Sequence, residues 1–562
     1  MKVSLRNKII IGVVAAFMIG FVSADQEYFF KINKGIDIYG RVYRELAVNY
    51  VDELDPDKLM RSGIDGMLGS LDPYTTFIGE EEGGEVDLLT TGKYGGIGIT
   101  IGIRDGFVTV TSLMDGYAAQ RQGLQVGDRI LEIEGVSMIG AKPEQVRSLT
   151  RGEPGTIVHM KIEREGEQKT LEFAIVREEV RIKNISYTGF LGDGSDTAGS
   201  RRNASGGLAY VRLDRFSRGA GDELRLALKD LQLKGTVRGL ILDLRDNPGG
   251  LLDAAVDVVS KFVPQGSLVV TTRGREQGSE KKYLAKEEPL DKDVPLVVLV
   301  NRNSASASEI VAGAIQDLDR GVVLGTRTFG KGLVQTIEPL VYNTQLKITT
   351  ARYYTPSGRS IQEVDYMHRG KDGLFETTPD SLKRQFETAG GRTVYEHGGI
   401  TPDSVVTERE PSSLYRELLR KSLFFRFVTS LVAQQRDSSA KIPQDAFLLS
   451  EFKKFVADKG FSYEDPGELK LKELREIAAQ ESYTKAMLSE IEQLSRGITQ
   501  EKANAFEQNR DEILRALRIE VALRHEGERG RIRTALADDI QVRRAADLLK
   551  NLRGYNRLLE SR

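Results

Sequence analysis

Residues 239–250 read GLILDLRDNPGG. The run Leu240–Leu244 has the length and apolar character of a buried strand, and Asn-Pro-Gly-Gly breaks it before an apolar helix over Gly250–Val263. The same alternation extends outward. Upstream, Gly207–Leu213 reads as a strand and Ala220–Leu231 as a helix. Downstream, Leu268–Thr272, Leu296–Val300 and Val322–Gly325 read as buried strands, with a helix over Ala305–Gln316. Strands alternating with helices predict a layered α/β core. Leu346–Tyr354 returns to β.

The flanks follow other periods. Residues 28–71 read as mostly helical, with Tyr39, Val42, Leu46, Tyr50 and Val51 near helical spacing, and Asp72-Pro73 closes the segment. The acidic stretch Glu80–Glu85 reads as a loop. From Tyr94 the pattern becomes β: Ile97, Ile99, Ile101 and Ile103 alternate, and short apolar runs follow between glycine turns. Gly192–Gly207 is a polar loop or linker. After Pro411 the chain reads as charged helices. Leu414, Leu418, Phe425, Val428 and Val432 form one apolar stripe; Val542, Ala545, Leu548, Leu549 and Leu552 form another. Such stripes are first of all helix-packing faces. Dimer contact is the other reading, and a homo-oligomer through the helical regions is expected.

At 562 residues the chain exceeds one core, and 40% apolar with 29% charged residues is a globular composition. A net charge of -2 offers no overall field to nucleic acid. There is no Cys, so disulfides, a catalytic thiol, thiolate zinc and iron–sulfur clusters are excluded. The four His (His159, His368, His397 and His525) form no H-E-x-x-H pattern, and none is placed by motif for a Ser–His–Asp triad. No metal or cofactor is expected. Lys2, Arg6 and Lys8 precede the uncharged run Ile9–Ala24, which ends in Val22-Ser23-Ala24. That is the layout of an export signal, cleaved or kept as a membrane anchor. The expected location is the periplasm or cell envelope.

Two glycine- or serine-rich motifs compete for the chemistry. Residues 325–331, GTRTFGK, begin like a phosphate-binding loop, but Gly332 stands where Ser or Thr must hold Mg²⁺, and the following residues look extended. A nucleotide site is rejected on both counts. Residues 303–309 read NSASASE, delivered by the strand Pro295–Val300 to a helix start. A serine there lies near free N–H groups and the positive end of the helix dipole, which favour an oxyanion. From composition alone, ordinary capping by Ser304 is the simpler account.

Ala118–Gly135 reads AAQRQGLQVGDRILEIEG, a short helix, a left-handed turn at Gly123 and a strand entered through Gly127-Asp128. With Tyr94-Gly95-Gly96-Ile97-Gly98 and the helix Pro143–Arg151, residues 88–178 resemble a PDZ domain. The resemblance implies that the backbone at Gly95, Gly96, Ile97 and Gly98 holds a peptide's terminal carboxylate. The peptide then adds as a strand beside Ile97–Ile103, facing the helix that carries Val146 and Leu149. Alone, this would make the chain a silent scaffold for protein C-termini.

GLILDLRDNPGG at 239–250, SASASE at 304–309, FGKGLVQ at 329–335, YYTPSGRSIQ at 353–362 and GITPD at 399–403 occur in that order. Together they resemble the carboxyl-terminal processing peptidases, or tail-specific proteases, from about residue 35 to 409. The resemblance implies an α/β multidomain protein with a crotonase-like α/β catalytic core, an inserted PDZ domain and helical ends. The implied parts are a signal or anchor at 1–24, a helical segment at 25–87, the PDZ domain at 88–178, the peptidase core at 179–409 and a helical region at 410–562. It implies a serine endopeptidase with Ser306 as nucleophile, Lys331 as base and Gln335 in support, acting on unstructured protein C-termini. Asp246 stands where the family commonly has Asn.

The residues suit that chemistry. A neutral lysine amine can activate a serine, but a free lysine titrates at ~10.4 and a useful base nearer ~7–8. Burial against Phe329 and Leu333 would lower it. If 331–335 is a strand, Lys331 and Gln335 share a face. Ala307 N–H and the N–H of Gly249 or Gly250 are the expected oxyanion donors.

Overall fold

The computed structural model describes residues 5–80, 84, 88, 90–192, 207–276, 278–369, 375–434, 443–481 and 483–560. The interior of the expected 192–207 loop, most of the 80–85 loop and the side chains of residues 1–26, on which the export reading rests, lie outside the described residues. The chain forms two compact units: residues 1–80, 335–349 and 366–369, and residues 81–334, 350–365 and 370–562.

In the first unit a single helix runs over Leu5–Asn49, followed by the helix Pro56–Leu68. Asp55 caps the second helix, its Oδ1 accepting from Asp57 N at 3.0 Å, and Pro56 opens it. The helically spaced Tyr39, Val42, Leu46, Tyr50 and Val51 are all exposed. Helical spacing specified the helix but not a partner for its apolar side. Among the described residues no helix is long and apolar enough to cross a membrane. The strand Thr76–Ile78 pairs antiparallel with 345–347 of a hairpin, Thr76 opposite Lys347.

The second unit begins with a small β domain. Its sheet runs in the order Ile99–Arg104, Phe107–Leu113, Arg129–Ile133, Ile157–Glu163 and Leu171–Val176, all antiparallel. Ile97, Val108, Ile130, Met138 and Val158 fill its core. The long first strand expected from Tyr94 is two strands. Lys93–Gly96 leaves the sheet to pair with Glu178–Arg181, and Ile99–Arg104 forms the sheet edge. Gly98, at φ 79°, separates them.

Beyond it lies the α/β core. A six-stranded sheet runs in the order Ile185–Phe190, Gly207–Leu213, Val237–Asp243, Leu296–Val300, Val322–Gly325 and Ser404–Val405. Only the first pair is antiparallel. Leu240, Leu242, Leu296 and Val298 point to one face, under the helices Ala220–Lys234, Leu252–Val259 and Ala307–Asp317. Ile241, Val297 and Leu299 point to the other, where Ile532, Val542, Ala545, Leu549 and Tyr555 of the C-terminal helices cover them. A parallel sheet must be buried on both faces, which is why its strands read as unbroken apolar runs. Part of the C-terminal region is thus the second layer of the core. The rest packs Leu414, Leu418, Phe424, Val428, Phe452 and Leu517 into a cluster of its own.

Candidate functional site

The strand Leu296–Val300 ends in Asn301, and the chain then enters the helix Ala307–Asp317. The helix starts two residues later than Ala305, so its N-cap is Ser306 rather than Ser304. Ser306 has φ 56° and ψ -112°. Such a conformation costs a non-glycine residue about 1–3 kcal/mol and persists only where the surroundings impose it.

Those surroundings are specific. Ser304 and Ser308, both fully buried, turn their hydroxyls onto the 244–247 loop: Ser304 Oγ donates to Leu244 O at 2.8 Å and Ser308 Oγ to Asn247 O at 2.9 Å. Ala305 N donates to the same Asn247 oxygen at 3.0 Å. Asn247 in turn reaches the Leu213 carbonyl (2.7 Å) and accepts from Gly249 N (2.9 Å). The serines flanking Ser306 therefore stitch two loops together, and Ser306 sits between them.

Glu309 closes the arrangement. It is fully buried and its carboxylate accepts four hydrogen bonds. Oε1 takes the Thr328 hydroxyl (2.6 Å) and Gly330 N (2.7 Å); Oε2 takes Ser306 N (2.8 Å) and Lys331 N (2.9 Å). Burial pushes its carboxyl up to about 7, against the pull of those donors. On the other side the buried Tyr353 hydroxyl donates to the Ser306 carbonyl at 3.0 Å and also contacts the Lys331 carbonyl. The backbones of Ser306 and Lys331 are thus held by the same two side chains.

The oxyanion candidates separate. A Cβ on Gly249, whose φ is 100°, would lie 2.7 Å from Ala305 O and 2.9 Å from both Ala307 N and Ser306 Cβ. Only glycine permits that approach. Yet Gly249 N–H is taken by Asn247, whereas Ala307 N–H and Gly250 N–H have no acceptor among the described residues. Asp246 has φ 60°, a conformation Asp and Asn both tolerate, and its Oδ1 accepts from Asn301 and Asn303 side chains at 2.9 Å each. The carboxylate serves there as an acceptor for two amides.

Lys331 is half-buried and precedes the strand, which begins at Leu333. Its N–H and carbonyl go to Glu309 and Tyr353, so strand alternation does not extend from Gln335 back to it. Leu333 is buried, but Phe329 is half exposed and lines a polar cleft of about 660 Å³ with Arg302, Arg327, Glu363 and Arg409. Gln335, in the first unit, donates to Thr349 Oγ1 at 3.2 Å.

Remaining motif residues buttress these loops. Arg359 donates to Gln316 and Asp317 at 2.8 Å each, holding the far end of the Ser306 helix. Gln362 Oε1 accepts from Gly332 N at 2.7 Å. Ile400 N donates to Thr328 Oγ1 (2.6 Å). Arg245 pairs with Asp243 beneath the loop and reaches Asp539 (2.8 Å) and Gln541 (3.0 Å) of the C-terminal helices. Burial alone would raise the Asp243 carboxyl; Arg245 and Arg212 outweigh it and hold it below its ordinary value. Sequence reasoning passed over Glu309, Tyr353 and Asn247. The Ser-x-x-Glu spacing before an apolar helix is a legible signal for Glu309; Asn247 and Tyr353 lie inside the motifs at 239–250 and 353–362, which do not set them apart from their neighbours.

In the β domain, Gly95 and Gly96 are paired with Glu179 and Glu178. The N–H groups of Ile97 and Gly98 have no acceptor among the described residues. The strand Ile99–Arg104 has an open edge, with the helix Pro143–Thr150 packed near it. The Ile97 and Val146 side chains are sealed in the domain core, so neither offers a groove surface; Leu149 is half-buried. Among the described residues no group of three or more His, Asp or Glu is arranged to hold a metal.

Family models match three stretches: "Peptidase family S41" at 207–367, "PDZ domain" at 85–163 and "Probable PDZ-protease, C-terminal helical domain" at 414–549. The chain is 38% identical over 329 residues to the carboxy-terminal-processing protease of Bartonella bacilliformis, covering 58% of this chain and 72% of that one. The chain belongs to the carboxyl-terminal processing proteases. As a member of that family it is a serine-type peptidase carrying a PDZ domain. It is also 35% identical over 309 residues to the carboxyl-terminal-processing protease of Synechocystis, covering 54% of this chain and 69% of that one. The solved photosystem II D1 C-terminal processing protease is 30% identical, with 60% of this chain and 84% of that chain covered at a TM-score of 0.34.

Proposed function

We propose that this peptidase is an exported endopeptidase of the cell envelope that binds unstructured protein C-termini and cuts them with a Ser306–Lys331 dyad. The observation that carries the reading is the joint hold of Glu309 and Tyr353 on the backbones of Ser306 and Lys331. In the proposed reaction the neutral Lys331 amine takes the Ser306 proton as Oγ attacks the scissile carbonyl. The oxyanion falls to Ala307 N–H and Gly250 N–H. Lys331 then returns the proton to the leaving amine, and water hydrolyses the acyl-enzyme. The FGKGLVQ motif supports Gln335 as the residue that steadies that amine. The basic start and apolar run at Ile9–Ala24 support export, as cleaved signal or retained anchor.

The PDZ domain takes the substrate's terminal carboxylate at Ile97 N–H and Gly98 N–H and its last residues along the edge of Ile99–Arg104. Amidating a model peptide's C-terminus should weaken its capture; equal binding of acid and amide would contradict this mode. For the dyad, a serine-reactive covalent probe should label Ser306 in wild type and fail in Lys331→Ala. A chain that stays unlabelled in wild type would be a peptide-binding scaffold instead.

A further inference from the structure

The first unit contains a hydrogen-bonded relay that ends on Gln335. Gln335 Nε2 donates to Thr349 Oγ1 at 3.2 Å, and Thr349 Oγ1 donates to Asp72 Oδ1 at 3.1 Å. Asp72 closes the turn between the helix Pro56–Leu68 and the strand Thr76–Ile78. Its carboxylate receives four hydrogen bonds: from Tyr74 N (2.9 Å), Thr75 N (3.1 Å), the Thr75 hydroxyl (3.0 Å) and Thr349. The Thr75 hydroxyl also accepts from Thr349 N at 3.2 Å, so the turn grips Thr349 at two points.

The direction of this relay is dictated by its end. An ionised carboxylate only accepts, and a hydroxyl has one proton to give. With that proton spent on Asp72, Thr349 Oγ1 can only accept from Gln335. The Gln335 amide must therefore turn its NH₂ toward Thr349 and keep its carbonyl oxygen for another donor. Without the relay, the two ends of the amide could exchange places.

We infer that Asp72 and Thr349 are positioning residues that fix the amide orientation of Gln335, keeping its Oε1 available as an acceptor for a lysine amine. The inference rests on the reading of Gln335 as the support of Lys331. The N-terminal segment would then act in catalysis through a residue of the peptidase motif 329–335, rather than serve only as a tether.

The test is steady-state turnover of an unstructured peptide by the full chain. Thr349→Val should lower kcat about 10–100-fold, the range for a small misplacement of a catalytic group, and leave KM unchanged. Thr349→Ser, which keeps the hydroxyl, should restore most of the activity. Asp72→Asn should keep most of the activity, because its carbonyl oxygen stays on the Tyr74 and Thr75 N–H groups and still accepts from Thr349 while its NH₂ meets the Thr75 hydroxyl; Asp72→Ala, which removes the acceptor, should behave like Thr349→Val. In a Gln335→Ala background, Thr349→Val should cost nothing further. Full additivity of the two losses, or wild-type kcat in Thr349→Val beside an impaired Gln335→Ala, would overturn the relay while leaving Gln335 in its role. Wild-type kcat in Gln335→Ala would instead remove the reading on which the relay rests.

Discussion

The backbone N–H groups of Ser306 and Lys331 end on one oxygen, Glu309 Oε2, at 2.8 and 2.9 Å. Every group around that carboxylate is a donor. Glu309→Gln replaces one oxygen by an NH₂: turned toward the Thr328 hydroxyl, which can accept it, the amide orphans Gly330 N, and turned the other way it orphans both Ser306 N and Lys331 N. Each orphaned donor costs about 1–3 kcal/mol. Turnover should fall at least ~100-fold through displaced reacting groups, with a lower melting temperature. Near-normal kcat in the Glu309→Gln enzyme would show that the shared carboxylate is dispensable.

Glu309 also predicts a pH dependence of stability. Its carboxyl stands at about 7 in the folded chain, raised from the ordinary 4.5 by burial. Between those values the folded state holds the proton more tightly than the unfolded state. This contribution is therefore full below pH 4.5 and is lost as pH rises through about 7. At roughly 1.4 kcal/mol per unit, the loss is on the order of 3 kcal/mol. Urea unfolding at pH 5 and pH 8 should show a smaller drop in Glu309→Gln than in wild type. An equal drop in both would assign the effect to other groups.

Ser304→Ala and Ser308→Ala should keep proteolysis; Ser308→Ala should lose about 1 kcal/mol of stability, the worth of its hydrogen bond to Asn247 O, and Ser304→Ala more, because its hydroxyl also accepts from Asn301 N at 2.9 Å. Ser306→Ala should be inactive and fold normally. Activity surviving in Ser306→Ala but not in Ser308→Ala would reject the middle serine.

Gly249→Ala should be inactive even if it folds, because its Cβ would press on Ala305 O and Ala307 N beside Ser306. The contrast is Gly266→Ala, where a Cβ meets nothing within 4 Å. That variant should keep normal turnover despite its φ of 84°. Comparable kcat in the two variants would remove the case for a tight approach of the two loops.

The α/β layering was legible because strands buried on both faces are apolar throughout, as at Leu240–Leu242 and Leu296–Val300. Short motifs carried the family. The sequence did not reveal which surface the C-terminal stripe covers: Val542, Ala545 and Leu549 show helical spacing, but their partners Ile241 and Val297 lie hundreds of residues away. The stripe at Tyr39–Val51 has the same spacing and is exposed among the described residues, so periodicity alone cannot tell the two cases apart. Gly249 and Gly250 were equivalent in sequence. They differ because the Asn247 side chain reaches back to one N–H and leaves the other. The break of the first β strand at Ile97-Gly98 was hidden because the Ile alternation runs across it.

The central claim is that Lys331 is the base for Ser306. A protonated amine cannot take the serine proton, so turnover should rise with pH as Lys331 loses its charge. Arginine stays charged at any usable pH. The most direct measurement is turnover of an unstructured peptide across pH by wild type and Lys331→Arg, with PDZ binding of the same peptide as a control for folding. The account predicts a rising wild-type profile and no turnover in the variant at any pH, with binding intact. Near-normal turnover in Lys331→Arg would contradict it and place the base elsewhere.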